Sequence, residues 1–271
     1  MDADSDQAGG FIPNTGLPSP SPSNSSSRIG AASQLPHPRA AALHAGSSKE
    51  GTVRRYVEEK LLNVSRRYVK KFGQPNPSDT VSGFTSFSEV CSELDGVVNV
   101  LWLSGTPSLQ IPFLLKLASD FTQYVRSFPP APRATFALLR KLDHCFSSLL
   151  IGQDITTRES LPGFENGLRS GMTTTDMVRC RSLVEQTRVL MVEIMSQARG
   201  DDYTDADNET GDETGTETDS TEMGRKWHFE GDEMHLDAAR VYENTIVHLG
   251  ERIGDGALQG IPPSDEPAGC A

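Results

Sequence analysis

The sequence predicts an all-α fold: a helical bundle of five to six helices with a disordered N-terminal tail, an acidic disordered insertion and a loose C-terminal tail. Three observations carry the prediction. Apolar residues recur at steps of three and four along six separate segments, which keeps them on one helical face. Cap residues, glycines or prolines bound most of these segments. No stretch shows the period-two alternation of a half-buried strand. The corresponding division is 1–48 as a Ser/Pro-rich tail, 49–200 as the helical domain, and 201–226 as the acidic linker. A C-terminal helix over 227–254 packs back on the bundle, and 255–271 form a second tail.

Residues 1–48 offer little to bury. Pro18, Pro20 and Pro22 alternate with Ser19 and Ser21, and Ser25, Ser26 and Ser27 follow. Nothing there offsets the entropy of ordering. The first helix is predicted from about Thr52 to Phe72, with Val53, Val57, Leu61, Val64, Tyr68 and Phe72 on its core face and Gly73 as the stop. The second starts at Ser86, where Ser86 and Glu89 match a capping box. Its stretch from Val97 to Leu103 is apolar nearly all round apart from Asn99, which marks a central position in the core. The third is predicted to start near Ile111 with Pro112 in its first turn, because Pro112 inside a longer helix would remove a hydrogen bond. Phe113, Leu114, Leu117, Phe121, Tyr124, Val125 and Phe128 carry its face.

Pro132 opens the fourth helix and Gly152 stops it, with Phe136, Leu139, Leu142, Phe146, Leu149 and Leu150 on one side. Residues 153–172 form a connection long enough to be either packed onto the surface or functional. The fifth helix begins at the Thr173 to Asp176 cap signal and ends at Gly200. The sixth runs from about Glu233 to Ile253, where Leu236, Tyr242, Ile246, Leu249 and Ile253 need cover.

Charge is segmental. The chain has 271 residues and a formal net charge of -12. Asp201 to Glu222 contains ten acids and no base, whereas 49–200 has 19 Lys/Arg against 15 Asp/Glu. The body is therefore mildly basic. No apolar run approaches the roughly 18 residues of a membrane span, so no membrane partner is expected. The acidic N-terminus lacks a signal-peptide core. Cys91, Cys145, Cys180 and Cys270 are far apart and read as thiols of a reducing compartment. The nucleus or the cytoplasm fits.

Catalytic constellations are weak. No glycine-rich phosphate loop is present, and no cofactor is expected. Asp143, His144 and Cys145 combine acid, base and nucleophile types, but adjacent helical positions diverge by about 100°. Cys145 is expected to face the interior, with Asp143 and His144 nearer solvent. An enzyme using Cys145 and His144 is the least favoured reading. His228 and His235, with Asp232 and Glu233, have metal-ligand types without dense spacing, and no metal is expected.

The strongest candidate for a binding surface is the basic face of the first helix: Arg54, Arg55, Arg66, Arg67, Lys70 and Lys71, with Lys60 beside them. It reads as a solvated face, as a surface for an acidic protein or for the chain's own acidic stretch, or, less favoured, as a nucleic-acid contact. The acidic stretch holds Thr210, Thr214, Thr216, Thr218, Ser220 and Thr221 among its acids, a plausible setting for an acid-directed kinase.

Four blocks together resemble a known family: LWLSGTPSLQIPFLL (Leu101 to Leu115), FPPAPRATFALLRKLD (Phe128 to Asp143), LPGFENG (Leu161 to Gly167) and TTTDMVR (Thr173 to Arg179), preceded by RRYVKKF (Arg66 to Phe72). They are similar to the fungal TFIIH accessory subunits, the sixth of the Tfb-named set, over roughly Val53 to Met195. The resemblance implies a nuclear, non-enzymatic protein that associates with TFIIH, binds its DNA-translocase subunit and promotes its release. It transfers no functional residue. The expected translocase contact is the basic helix or the connection from Gln153 to Met172. A generic helical adaptor outside transcription is the alternative.

Overall fold

The structure, a computed structural model, describes residues 35–73, 81–204 and 236–258, with side chains described up to 196 in the fifth helix and 254 in the last. These residues form six helices: α1 (Ser48–Lys70), α2 (Phe87–Ser104), α3 (Pro107–Tyr124), α4 (Pro132–Ile151), α5 (Thr174–Thr204) and α6 (Glu243–Leu258). Short 3-10 turns follow α3 (Val125–Ser127) and precede α5 (Leu168–Ser170). Among the described residues the one extended pairing is an isolated antiparallel bridge between Gln153 and Ser160. The all-α expectation therefore holds. Residues 1–34, 205–235 and 259–271, with the tail, linker and end-segment readings made for them, lie outside the described residues.

α2 is the hub, packing against α1, α3 and α4. Phe87, Val90, Leu94, Val97, Val98, Leu101 and Trp102 are all buried along it. α5 lies on α3, while α6 lies on α4 and α5. The first turns show why the helices start where they do. Ser86 Oγ accepts from the Glu89 amide at 3.4 Å, but the Glu89 carboxylate turns back to the Thr85 amide and hydroxyl. Thr173 and Asp176 form the full reciprocal box: the Asp176 amide donates to Thr173 Oγ1 at 3.2 Å and the Thr173 amide to Asp176 Oδ2 at 3.1 Å. A partial box of the Ser86 kind starts α1, where the Glu50 amide donates to Ser47 Oγ and the Glu50 carboxylate takes the Gly46 amide, one residue before the cap. That box starts the helix four residues before the expected Thr52. α1 also ends at Lys70, two residues short of Phe72, which is exposed rather than on the core face.

α3 begins at Pro107, not at Ile111. Pro107 is the first helical residue, where a missing N–H costs nothing. Pro112 does sit inside the helix, but it is exposed, and so is Ser108, whose carbonyl loses that partner. Water can take the lost bond on that side. The Thr106 hydroxyl donates to the Ser104 carbonyl at 2.8 Å and accepts from the Leu43 amide at 2.9 Å. It thereby anchors residues 35–47, with Leu43 buried.

α4 is buried on two sides. Beyond the expected apolar face, Asp143, His144, Ser147 and Ser148 are also covered. The expectation that Asp143 and His144 lie near solvent is overturned, because α6 and the 153–172 segment pack over that side. α5 runs past Gly200 to Thr204, since one glycine costs about 1 kcal/mol in a helix and need not end it. The sixth segment is not one helix over 233–253. A helical turn at 236–239 is followed by a break and then α6. Tyr242 makes that break, with φ of 58° in the left-handed region. Its ring is buried, and its hydroxyl has no hydrogen-bond partner among the described residues. Leu249 is buried as expected, while Leu236 and Ile246 are exposed.

Candidate protein interface

The six basic candidates on α1 and its C-cap, Lys71, divide by what they touch. Arg67 is a structural residue. Its guanidinium lies 4.0 Å from the Phe84 ring centre, pairs with Glu89 at 3.1 Å and Glu93 at 3.3 Å, and donates to the Ser82 carbonyl. Lys60 also reaches Glu93, at 3.8 Å. The Thr85 hydroxyl, then the Thr85 amide and Arg67, hold the Glu89 carboxyl below its usual range against a counteracting desolvation. Arg54 pairs with Glu50 one turn back at 3.1 Å. Lys70 donates to the Val81 carbonyl at 3.0 Å, and Lys71 donates to the Ser127 carbonyl while lying over the Phe128 ring. Arg55 and Arg66 are exposed and make no ion pair or hydrogen bond among the described residues. The linear basic face thus becomes two solvent-directed guanidiniums beside a set of internal braces.

The 153–172 segment is packed. Leu161, Phe164 and Met172 are buried. Asp154 organises its first half: Oδ1 accepts the Thr156 and Thr157 amides at 2.7 and 2.9 Å, and Oδ2 meets His144 Nε2 at 3.1 Å. Burial pushes the Asp154 carboxyl up, but the two amides and the His144 ring outweigh it and hold it below the usual range. The glycine stops of α2 and α4 matter here beyond their left-handed φ of 52° and 75°. A Cβ on Gly105 would lie 3.0 Å from Pro162, and one on Gly152 would lie 2.8 Å from Phe164. Both glycines admit the returning chain. The exposed parts of the segment are Gln153, 156–160 and 165–170, which carry Arg158 and Arg169.

The geometry assigns the Asp143, His144 and Cys145 trio to packing. His144 is committed to Asp154 and meets the Trp102 ring edge-on at 5.2 Å. Asp143 accepts from the Thr245 amide at 2.8 Å, the Thr245 hydroxyl at 2.6 Å, and the Asn244 side chain at 2.8 Å. It serves as the N-terminal cap of α6 from about a hundred positions away in sequence, a role no local pattern announces. Cys145 is fully buried, and burial pushes its thiol far up, away from the nucleophilic thiolate. Cys91 and Cys180 are likewise pushed up to about 12 by burial. Among the described residues no group of three His, Cys, Asp or Glu side chains could hold a metal. His228, His235, Asp232 and Glu233 lie outside the described residues. No helix among the described residues is long and apolar enough to cross a membrane.

A family model described as TFB6, subunit 11 of the general transcription factor TFIIH, matches residues 83–250. The chain belongs to the TFB6 family. Membership implies association with TFIIH. A curated relative, an uncharacterized protein of Schizosaccharomyces pombe, is 26% identical over 151 residues, which cover 55% of this chain and 81% of that protein. No solved structure matches. The TFB6 match covers α2 to α5 and reaches into α6 as far as Gly250. It is placed differently from the Val53 to Met195 span of the sequence resemblance: it leaves out α1 and takes in Asp143's partners Asn244 and Thr245. The cap between α4 and α6 therefore lies wholly within the TFB6-matched part, whereas the basic helix lies outside it.

Proposed function

We propose that the chain is a nuclear, non-enzymatic interaction subunit of TFIIH that binds the complex's DNA-translocase subunit and promotes its release. Family membership over 83–250 carries this reading. The packing supports it: the residue types that would suggest chemistry, His144 and Cys145, are both used internally. What remains at the surface is suited to contact with protein. The translocase contact is assigned to the exposed side of α1 or to the exposed parts of 153–172.

Affinity purification of the tagged full chain from nuclear extract tests this. The expected result is recovery of TFIIH subunits including the translocase. Recovery of trafficking or cytoskeletal proteins without TFIIH would overturn it in favour of an adaptor outside transcription. Charge reversal belongs at Arg55 and Arg66. Reversal at Arg67 would break the braces to Glu89 and Glu93 and confuse loss of fold with loss of contact.

A further inference from the structure

We infer that the outward face of α1 is a docking surface for an acidic amphipathic helix of a protein partner; this rests on the reading of the chain as an interaction subunit. The face is defined by helical geometry. Val57, Leu61 and Val64 point into the core. On the opposite side, Arg55, Glu59, Leu62, Arg66 and Val69 follow one another at steps of four, three, four and three, which aligns them along one seam. Leu62 is 50% exposed and Val69 64%, and Phe72 beyond the helix end is 65% exposed. Two large apolar side chains one heptad apart on this seam, with Phe72 just past the helix end, are more than the scattered single exposures of an ordinary surface.

Charge decides what covers them. From Leu62 to Phe72 the sequence has four bases and no acid. Of these four, Arg67 pairs with Glu89 and Glu93, and Glu93 also reaches Lys60. Lys71 reaches a backbone carbonyl, which bears no formal charge, so its positive potential persists. Arg66 faces outward between Leu62 and Val69. The helix dipole accounts for lysines at this end of α1, but not for Arg66 or for the apolar seam. A nucleic-acid backbone would match the charge and leave Leu62, Val69 and Phe72 exposed to water. A helix with apolar residues one heptad apart and carboxylates between them matches both features. A second copy of α1 offers one seam carboxylate, Glu59, against two seam guanidiniums, Arg55 and Arg66, and is the poorer match.

The probe is a labelled synthetic helical peptide with leucines at heptad spacing and glutamates between them, compared with the same peptide carrying lysines instead. Binding to the full chain is read by fluorescence anisotropy. The acidic peptide is expected to bind and the basic one to bind at least about tenfold more weakly. Arg66→Glu, and separately Leu62→Ala with Val69→Ala, are each expected to weaken the acidic peptide by about tenfold, with circular dichroism unchanged. Equal binding of the two peptides would overturn the inference. So would indifference to both variants, or binding that emerges only when residues 205–222 are deleted, which would assign the face to the chain's own acidic stretch. Stronger binding of a single-stranded oligonucleotide with the same Arg66→Glu sensitivity would assign it to nucleic acid and also overturn it. Purification of the same variants from nuclear extract separates the two readings. Translocase recovered equally by wild type and variants refutes this face and leaves the TFIIH role standing. Translocase absent with wild type refutes the role, while the peptide result still judges the face.

Discussion

Replacing Asp143 with alanine probes the contact that holds the last helix in place. α6 begins at Glu243, so the Asn244 and Thr245 amides belong to the first turn, where a helix has no acceptors of its own. Asp143 supplies one carboxylate to the Thr245 amide and hydroxyl and to the Asn244 side chain, with a longer contact of 3.4 Å to the Asn244 amide. Losing an N-terminal cap costs about 1 kcal/mol. Leaving the buried Thr245 amide without its acceptor adds about 1–3 kcal/mol, while the Thr245 hydroxyl keeps the Asp143 backbone carbonyl at 3.2 Å. The sum is about 2–4 kcal/mol, which lowers Tm by about 4–16 °C for a chain of this size. The remaining anchors are the buried Ala238, Val241, Tyr242, Thr245 and Leu249 and the Arg188 bond to the Val241 carbonyl at 2.8 Å, while the Tyr242 hydroxyl has no partner among the described residues. Thermal unfolding followed by circular dichroism reads the shift. Hydrogen exchange should show the α6 amides losing protection ahead of those of α2. Asp143→Asn should fall between, because it keeps one acceptor oxygen and turns a donor toward donors. An Asp143→Ala variant with Tm within about 1 °C of wild type, or with α6 protection unchanged, would refute the cap.

Three further outcomes follow from the same geometry. Arg67→Ala should cost about 2 kcal/mol through the lost ring contact and paired carboxylates, whereas Arg66→Ala should stay within about 0.5 kcal/mol; urea denaturation compares them. The Asp154 carboxyl is lowered from its ordinary 3.8, so its stabilising share is complete above that value and lost as pH falls through the lower native one. Urea melts from pH 7 down to pH 3 should therefore show an acid loss that Asp154→Asn removes. In a Cys270→Ser background, Cys91, Cys145 and Cys180 should resist a thiol reagent in the native state and react on denaturation, as burial and raised thiol values require.

Most of the fold was legible because helices declare themselves locally. The apolar period of α2, the caps at Ser86 and Thr173, and the stops at Gly105 and Gly152 all depend on residues within one turn of each other. The Ser47 to Glu50 box was equally local, and its Ser-x-x-Glu spacing was the available signal. Pro112 misled because proline's cost depends on whether water can reach the abandoned carbonyl, and that is a tertiary fact. The second buried side of α4 was hidden for a related reason. Asp143, His144, Ser147 and Ser148 are polar, and polar residues look solvent-facing until their partners are known. Asp143 finds its partners at Asn244 and Thr245, and His144 finds Asp154. The basic stripe shows the same limit from the other side. Its charges were plain in the sequence, but Glu89 and Glu93 lie more than twenty positions from Arg67 and neutralise it only through the α1 to α2 packing. The residues left exposed, Arg55 and Arg66 with Leu62, Val69 and Phe72, emerge only after those braces are subtracted.

The most direct test of the central claim is a release measurement. Purified TFIIH immobilised through a core subunit is titrated with the purified full chain, and the translocase in the unbound fraction is quantified. The account predicts that released translocase rises with the added chain and saturates, while the other core subunits stay bound. A chain that binds TFIIH yet leaves the translocase in place at saturation would contradict it.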